Sequence, residues 1–188
     1  MRIRIVAAVA LVALALTLSG QRVAAQVHES SNIALPVGYR SWQLISVAAL
    51  GPPFSDIRAK LGNEIALEDF RRRTIPYRDG AIIVRLAWKQ SRDSQTNSAL
   101  GREPQLQGLS PDTIAKDLSQ SFEAGAPTNV QLMVKDSKRY AATGGWGFAQ
   151  FTNGKRDVVI TSPRDPRSCF ACHVPAKATD FVFTRYAP

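Results

Sequence analysis

Residues 79–89 read DGAIIVRLAWK and have the clearest strand pattern in the chain. The Asp-Gly pair is a turn signal, and the alternation that follows it is typical of a β-strand. One side of this strand is wholly apolar and suits a core, with Ile82, Val84, Leu86 and Trp88. The other side carries Ala81, Ile83, Arg85, Ala87 and Lys89. This mixed side suits either a solvent-exposed edge or the wall of a cofactor pocket.

Further strands and two short helices are predicted around this one. Strands are expected at residues 42–48, 57–61, 129–135 and 145–151. Helices are expected at residues 63–72 and 111–120, capped by Asn63 and Ser110, with a polar surface loop at residues 91–108. No internal repeat or low-complexity linker supports a second domain. The pattern predicts a single α+β domain rich in β-strand.

The N-terminus has the pattern of a secretory signal. Arg2 and Arg4 precede an apolar run over residues 5–18, and small residues at 23–25 precede Gln26. The run is shorter than the ~20 residues of a membrane-spanning helix, which argues against an integral membrane protein. We therefore expect a signal peptide at 1–25, a tail at 26–34, a domain at 35–188 and periplasmic export. An uncleaved N-terminal anchor is the alternative.

The chain is basic, with a formal charge of +9 over 188 residues. Removing residues 1–25 removes Arg2, Arg4 and Arg22, which leaves 188 − 25 = 163 residues and a charge of 9 − 3 = +6. Apart from the run at 71–73, the basic residues are scattered, whereas nucleic-acid binding needs a clustered stripe. The charge favours anionic partners and gives no indication of nucleic-acid binding.

The two cysteines of the chain lie in the pentapeptide Cys169-Phe-Ala-Cys172-His173. This C-x-x-C-H order is the attachment motif of a c-type haem. Two thiols three positions apart add to the two vinyl groups of one porphyrin edge, and the adjacent imidazole binds the iron. The motif predicts one covalent haem c near the C-terminus, with His173 as axial ligand.

Three other interpretations of the pentapeptide are open. A structural zinc site needs four nitrogen or sulfur ligands, and the second histidine of the chain, His28, lies in the expected tail. A thioredoxin-like redox pair belongs beside a βαβ unit. A chance C-x-x-C is the third interpretation.

Candidates for a sixth iron ligand are scarce. They are Met133, His28 or a lysine, and Met133 on a strand is expected to fill the core instead. The iron is therefore expected to be five-coordinate. An open position favours binding or transforming a small molecule over simple electron transfer.

Several separated motifs together resemble the cytochrome P-460 family. They are YRSW at 39–42, the turn at 78–80 with its strand, VKDSKRY at 134–140, GGWGF at 144–148, and CFACH followed by DFVFTRY. The similarity covers roughly residues 35–188. It implies a periplasmic mono-haem protein, predominantly antiparallel β with a few helices and usually a homodimer, a fold shared with cytochromes c′-beta. It also implies that Cys169 and Cys172 are the thioether attachments and that His173 is the proximal ligand.

The resemblance further implies oxidation of hydroxylamine with nitric oxide chemistry, and a lysine bonded to the porphyrin. The equivalent position holds Arg85, whose guanidinium stays protonated and is a poor nucleophile. Lys89 has the same strand parity but lies ~13 Å further along at ~3.3 Å per residue. A distal arginine of the family matches Arg58, which could orient a bound nitrogen oxide or an anion, or be an exposed strand residue.

Three functions remain open. The first is an oxidoreductase acting on hydroxylamine or nitric oxide and passing electrons to a soluble partner. The second is a cytochrome c′-beta-like protein that binds nitric oxide without turnover, and the third is a simple electron shuttle. Glu64, Glu68, Asp69 and Asp165 are present, but no catalytic proton acceptor is assigned among them, because sequence does not place them near a ligand.

Overall fold

The computed structural model describes residues 33–92, 95–96, 99, 101–103, 108–157, 159 and 162–187. Its strands are β1 (Gln43–Leu50), β2 (Asp56–Gly62), β3 (Ile82–Ser91), β4 (Glu123–Lys135), β5 (Trp146–Thr152) and β6 (Lys155–Arg156). Its α-helices are α1 (Glu64–Arg72), α2 (Pro111–Gln120) and α3 (Cys169–His173). Short 3-10 turns lie at Tyr39–Ser41, Ala141–Thr143 and Val174–Thr179.

The strands form one sheet in chain order, β1-β2-β3-β4-β5-β6, and every neighbouring pair is antiparallel. The predicted α+β class with a predominantly antiparallel sheet is therefore confirmed. The antiparallel sheet also lacks the parallel βαβ context that the thioredoxin-like interpretation required.

Strand β4 begins at Glu123, well before the predicted start at Asn129. Pro127 lies inside it, opposite Trp88, where the pairing of β3 with β4 shifts register. A proline has no N–H to donate and is tolerated in a strand at such an irregularity. The predicted strand begins only after this proline, whereas the observed strand includes it and begins at Glu123.

Both predicted helix caps are confirmed. The Asn63 side chain accepts a hydrogen bond from the Ala66 N–H at 3.0 Å, and the Ser110 hydroxyl accepts one from the Thr113 N–H at 3.2 Å. Such caps satisfy N–H groups that a helix leaves without intrahelical partners. Asn63 also accepts from the Ile82 N–H at 3.0 Å, so the cap of α1 ties this helix to the start of β3.

The two faces of the sheet are packed by separate hydrophobic clusters. One, which we call the motif face, includes Ile45, Phe70, Ile83, Trp146, Phe148 and Val182, with Cys169, Phe170 and Phe181 packed against them. The opposite face includes Tyr39, Val84, Leu86, Leu132, Tyr140 and Phe151. Val84 and Leu86 of β3 thus lie in a core as predicted.

The mixed side of β3 belongs to the motif face. Ile83 and Ala87 are buried there, Arg85 is partly buried and Lys89 is exposed. Only the end of this side, at Lys89, is exposed to solvent, as the first of the two interpretations predicted.

Residues 1–32, with the expected signal peptide and His28, lie outside the described residues, as does part of the expected loop at 91–108. Among the helices that are described, none has the length and apolar character to cross a membrane.

Candidate functional site

The pentapeptide 169–173 forms the short helix α3, which the sequence analysis did not predict. Ser168 is its N-cap, since the fully buried hydroxyl accepts a hydrogen bond from the Ala171 N–H at 3.1 Å. Residues three apart on a helix face the same side, so Cys169 and Cys172 are neighbours on it. Both are free cysteines; Cys169 is partly buried and Cys172 is exposed. Burial raises the pKa of the Cys169 thiol.

His173 ends this helix with its imidazole in a defined orientation. Its Nδ1 lies 2.7 Å from the carbonyl oxygen of Phe181, and a carbonyl can only accept, so Nδ1 carries the proton. Burial lowers the pKa of His173, which favours the neutral ring, although the bond to Phe181 opposes this shift. A neutral ring protonated on Nδ1 leaves the Nε2 lone pair for a metal.

Aromatic rings surround this imidazole. The ring centroids of Phe148 and Phe183 lie 5.1 Å and 4.8 Å from that of His173. Phe170 packs against Phe181 at 5.1 Å, and against Phe148 at 6.4 Å. The exposed fraction of Phe183 is 62%. Together they give the histidine an apolar wall on a sheet face.

The carbonyl that binds His173 is fixed by a buried ion pair. Asp180 and Phe181 both have left-handed backbone, with φ of 51° and 64°. The Lys135 ammonium lies 2.9 Å and 2.7 Å from the two carboxylate oxygens of Asp180, and both side chains are over nine-tenths buried. The Tyr77 N–H donates to the same carboxylate and the Trp146 indole N–H to the Asp180 carbonyl.

Arg58 and Arg85, the two predicted distal candidates, lie together on the motif face. Both bind Asp56: the Arg58 Nε at 2.9 Å and one terminal nitrogen of Arg85 at 3.2 Å. The other terminal nitrogen of Arg85 contacts the side-chain oxygens of Gln131 at 2.5 Å and Asn129 at 3.3 Å. Arg58 also lies over the ring of Phe54 at 5.1 Å. The structure therefore brings the two arginines into one polar network.

Three of the four carboxylates considered from the sequence bind arginines, and the fourth, Glu64, is exposed. Glu68 and Asp69 both bind Arg78, at 2.7 Å and 2.6 Å. Hydrogen bonds from the Arg167 side chain, and then its N–H, lower the pKa of Asp165 to about 2. A group with so low a pKa is a weak base at neutral pH.

The other two side chains considered from the sequence, Met133 and Lys89, lie against the core and on the surface. Met133 packs against the motif-face core as expected. Lys89 is exposed on β3.

The residues of α3 fit a covalently held haem. A c-type haem needs two accessible thiols at this spacing and an imidazole nitrogen free to bind iron. Cys169 and Cys172 are unpaired thiols, and the hydrogen bond of His173 leaves Nε2 as its metal-binding nitrogen. These three residues could hold the haem, and the aromatic rings beside them could shield it from water.

Sequence reasoning missed the supports of this site. The roles of Lys135, Asp180 and the Phe181 carbonyl depend on contacts between distant parts of the chain, and Lys60, beside Arg58 and Arg85, was not singled out. Lys135 and Asp180 do lie within the quoted motifs at 134–140 and 180–186. A charged residue at a core position of a strand was the available signal for Lys135.

A family model described as Cytochrome P460 matches residues 36–184, which is most of the chain. A search of curated proteins found none that matches. The family is one of haem proteins, so haem is the cofactor that it implies.

Proposed function

Because this chain belongs to the cytochrome P460 family, we propose that it is a mono-haem c-type cytochrome with redox chemistry on hydroxylamine or nitric oxide. The observation that carries the proposal is the hydrogen bond from His173 Nδ1 to the Phe181 carbonyl, beside two free thiols. It leaves one nitrogen of the imidazole for iron on the helix that carries both attachment points.

Each residue of the site has a specific role in this proposal. Cys169 and Cys172 form the thioether bonds, and His173 is the axial ligand. A haem held by these residues would supply a redox-active iron. The Phe181 carbonyl fixes the imidazole, and the ring of Phe148 excludes water from its side.

Arg58 and Arg85 are the proposed hydrogen-bond donors to a nitrogen oxide or its precursor. Both side chains are four-fifths or more buried, at 20% and 18% exposure, and a guanidinium is a charged hydrogen-bond donor. Charged donors in a partly dry site give stronger hydrogen bonds than exposed ones.

The assignment of segments and partners follows from the sequence. Residues 1–25 are the proposed export signal, 26–34 a tail and 35–188 the haem domain, with the protein acting in the periplasm. A soluble protein accepts the electrons, and two copies form a homodimer.

Covalent haem and turnover are tested separately. Mass spectrometry of the exported protein is expected to show one added porphyrin, and the Cys169→Ala/Cys172→Ala variant is expected to lose it. Hydroxylamine oxidation is then followed with an artificial acceptor. His173→Ala, which leaves both thiols in place, is expected to keep the porphyrin and to change the absorption spectrum. Wild-type protein without added mass would contradict the proposal.

A second candidate is a cytochrome c′-beta-like protein that binds nitric oxide without turnover. Arg85 favours it, because this arginine stands where the resemblance places the cross-linking lysine and is engaged by Asp56 and Gln131. This candidate predicts an ordinary high-spin absorption spectrum, tight nitric oxide binding by the reduced protein and no hydroxylamine oxidation. A Soret band far to the red, with turnover, supports the first candidate instead.

A further inference from the structure

Three cationic side chains converge on the motif face at the junction of β2 and β3. Lys60 of β2 pairs with Arg85 of β3, and Arg58 lies two residues from Lys60 on the same strand. Alternate residues of a strand share a face, and directly paired residues do too. The nearest carboxylate is that of Asp56, two residues further along β2.

The cluster has an uncompensated positive charge. Arg58, Lys60 and Arg85 contribute three positive charges and Asp56 one negative charge, a balance of 3 − 1 = +2. The side chain of Asp56 is 13% exposed, and Lys60 is partly buried. Burial, and then repulsion from Arg58 and Arg85, lowers the pKa of Lys60. Like charges placed opposite one another in a sheet destabilise it unless something neutralises them.

The cluster also has more hydrogen-bond donors than acceptors. The Nε of Arg85 is buried without an acceptor. Within the described part of the chain, Lys60 makes no hydrogen bond or ion pair, and Arg58 uses only its Nε. Buried polar groups in native proteins normally have partners. The buried Nε of Arg85 lacks an acceptor, and an acceptor with negative charge would also offset the positive charge of the cluster.

We propose that Arg58, Lys60 and Arg85 form a binding site for one planar anion of the carboxylate type. The excess of charge and of donors both select an anion over a neutral or cationic ligand. Two sources have this chemistry: a carboxylate of the haem itself, or a free oxyanion of nitrogen.

The position of the cluster allows either source. Phe148, which contacts His173, pairs with Met133, and Met133 pairs with Ile83 of β3. Arg85 therefore lies two strands and two residues from Phe148 on the same face, about 10 Å across and about 7 Å along the sheet. The haem carboxylate as source rests on the function proposed above, whereas a free oxyanion does not.

The first experiment measures binding of nitrate to the purified full-length protein by calorimetry. Nitrate matches a carboxylate in charge and planarity. If a free oxyanion occupies the site, Lys60→Met is expected to weaken the affinity about tenfold through loss of a charge-assisted hydrogen bond. Lys116→Met, which removes an exposed lysine of α2, is the matched control and is expected to leave the affinity unchanged.

The second experiment addresses the haem as source. If a haem carboxylate fills the site, the haem-loaded protein does not bind nitrate. The infrared carboxylate bands of isotopically labelled haem then shift in Lys60→Met and stay in place in Lys116→Met. Arg58→Gln gives the same comparison if Lys60→Met does not fold.

The outcomes separate this inference from the proposed function. If neither nitrate affinity nor the carboxylate bands respond to Lys60→Met or Arg58→Gln, the anion site is overturned. If the protein carries no haem, the proposed function fails, and the nitrate titration of that protein still decides whether the cluster binds an anion.

Discussion

The guanidinium of Arg85 is oriented by three side chains from two neighbouring strands. Asp56, Gln131 and Asn129 contact its two terminal nitrogens. A guanidinium presents several donors in a fixed plane, whereas a lysine ammonium is a compact charge on a flexible chain. A lysine at this position cannot make all three contacts and is freer to point away from the sheet.

Arg85→Lys is expected to change the absorption spectrum of the haem-loaded protein. The shorter, mobile amine would alter the surroundings of the haem. The measurement is the position of the Soret band. Arg72→Lys, whose parent side chain is 71% exposed, is the control. An unchanged spectrum in both variants would mean that Arg85 faces away from the haem.

The pH dependence of nitrate binding is expected to follow Lys60. Its lowered pKa means that it loses its proton below the ordinary value of 10.5. Loss of this proton reduces the balance of the cluster, which comprises Arg58, Lys60, Arg85 and Asp56, from +2 to +1. The affinity should therefore fall as pH rises through that lowered pKa. In Lys60→Met the nitrate affinity should be weaker and should not change over the same pH range. An equal fall in the variant would mean that a group other than Lys60 titrates.

The segment that follows α3 is held to the sheet by one buried ion pair. Asp180→Asn keeps the size of the side chain, and asparagine also tolerates the left-handed backbone at this position. It leaves the Lys135 ammonium buried without its counter-charge. Removing one partner of a buried pair costs about 3–5 kcal/mol.

Urea unfolding measures this loss, and Asp117, which is exposed on α2, supplies the control. Asp117→Asn is expected to leave the midpoint almost unchanged. Because Asp180 precedes the carbonyl that binds His173, Asp180→Asn should also shift the reduction potential of the haem. Equal stability of the two variants would show that the pair does not hold the segment.

Gly144 provides a second test of how this segment is positioned. Its φ is +66°, and a Cβ built there would lie 2.1 Å from the Phe181 ring. Gly154 has a similar φ of +74° with no atom within 4 Å of such a Cβ. Alanine at either position costs about 1–2 kcal/mol of left-handed backbone strain. Only Gly144→Ala adds overpacking, about 1–3 kcal/mol more, which urea unfolding can resolve. Equal losses would mean that Phe181 moves aside freely.

Local rules predicted most elements of the fold. The period-2 pattern of β3 and the caps at Asn63 and Ser110 depend on neighbours in the sequence, and all three are confirmed. The orientation of His173 depends on Phe181, eight residues away, and through Asp180 on Lys135. No local pattern encodes such contacts. The motif therefore identified the candidate ligands, while their positioning required the structure.

The sheet is open, and its two edges differ. Strand β6 has two residues, whereas β1 has eight and carries two exposed apolar side chains, Leu44 at 47% and Val47 at 64%. A long edge strand with apolar residues is a template for pairing with another chain. Among the backbone hydrogen bonds of the described residues, the Ala187 N–H donates to the Ile45 carbonyl at this edge and leaves the rest of the edge uncovered. In the proposed homodimer, β1 of a second copy is expected to pair here.

Val47→Lys is expected to convert this dimer to a monomer, because it places a charge at the centre of an apolar contact and repeats it across the two-fold axis. Light scattering after size-exclusion chromatography measures the mass. Val37→Lys is the matched control, since Val37 is fully exposed in the segment before the sheet, and it should leave the dimer intact. Haem content should be the same in both variants, because β1 carries none of the three haem-binding candidates. A dimer that persists in Val47→Lys at all concentrations would place the interface away from the β1 edge.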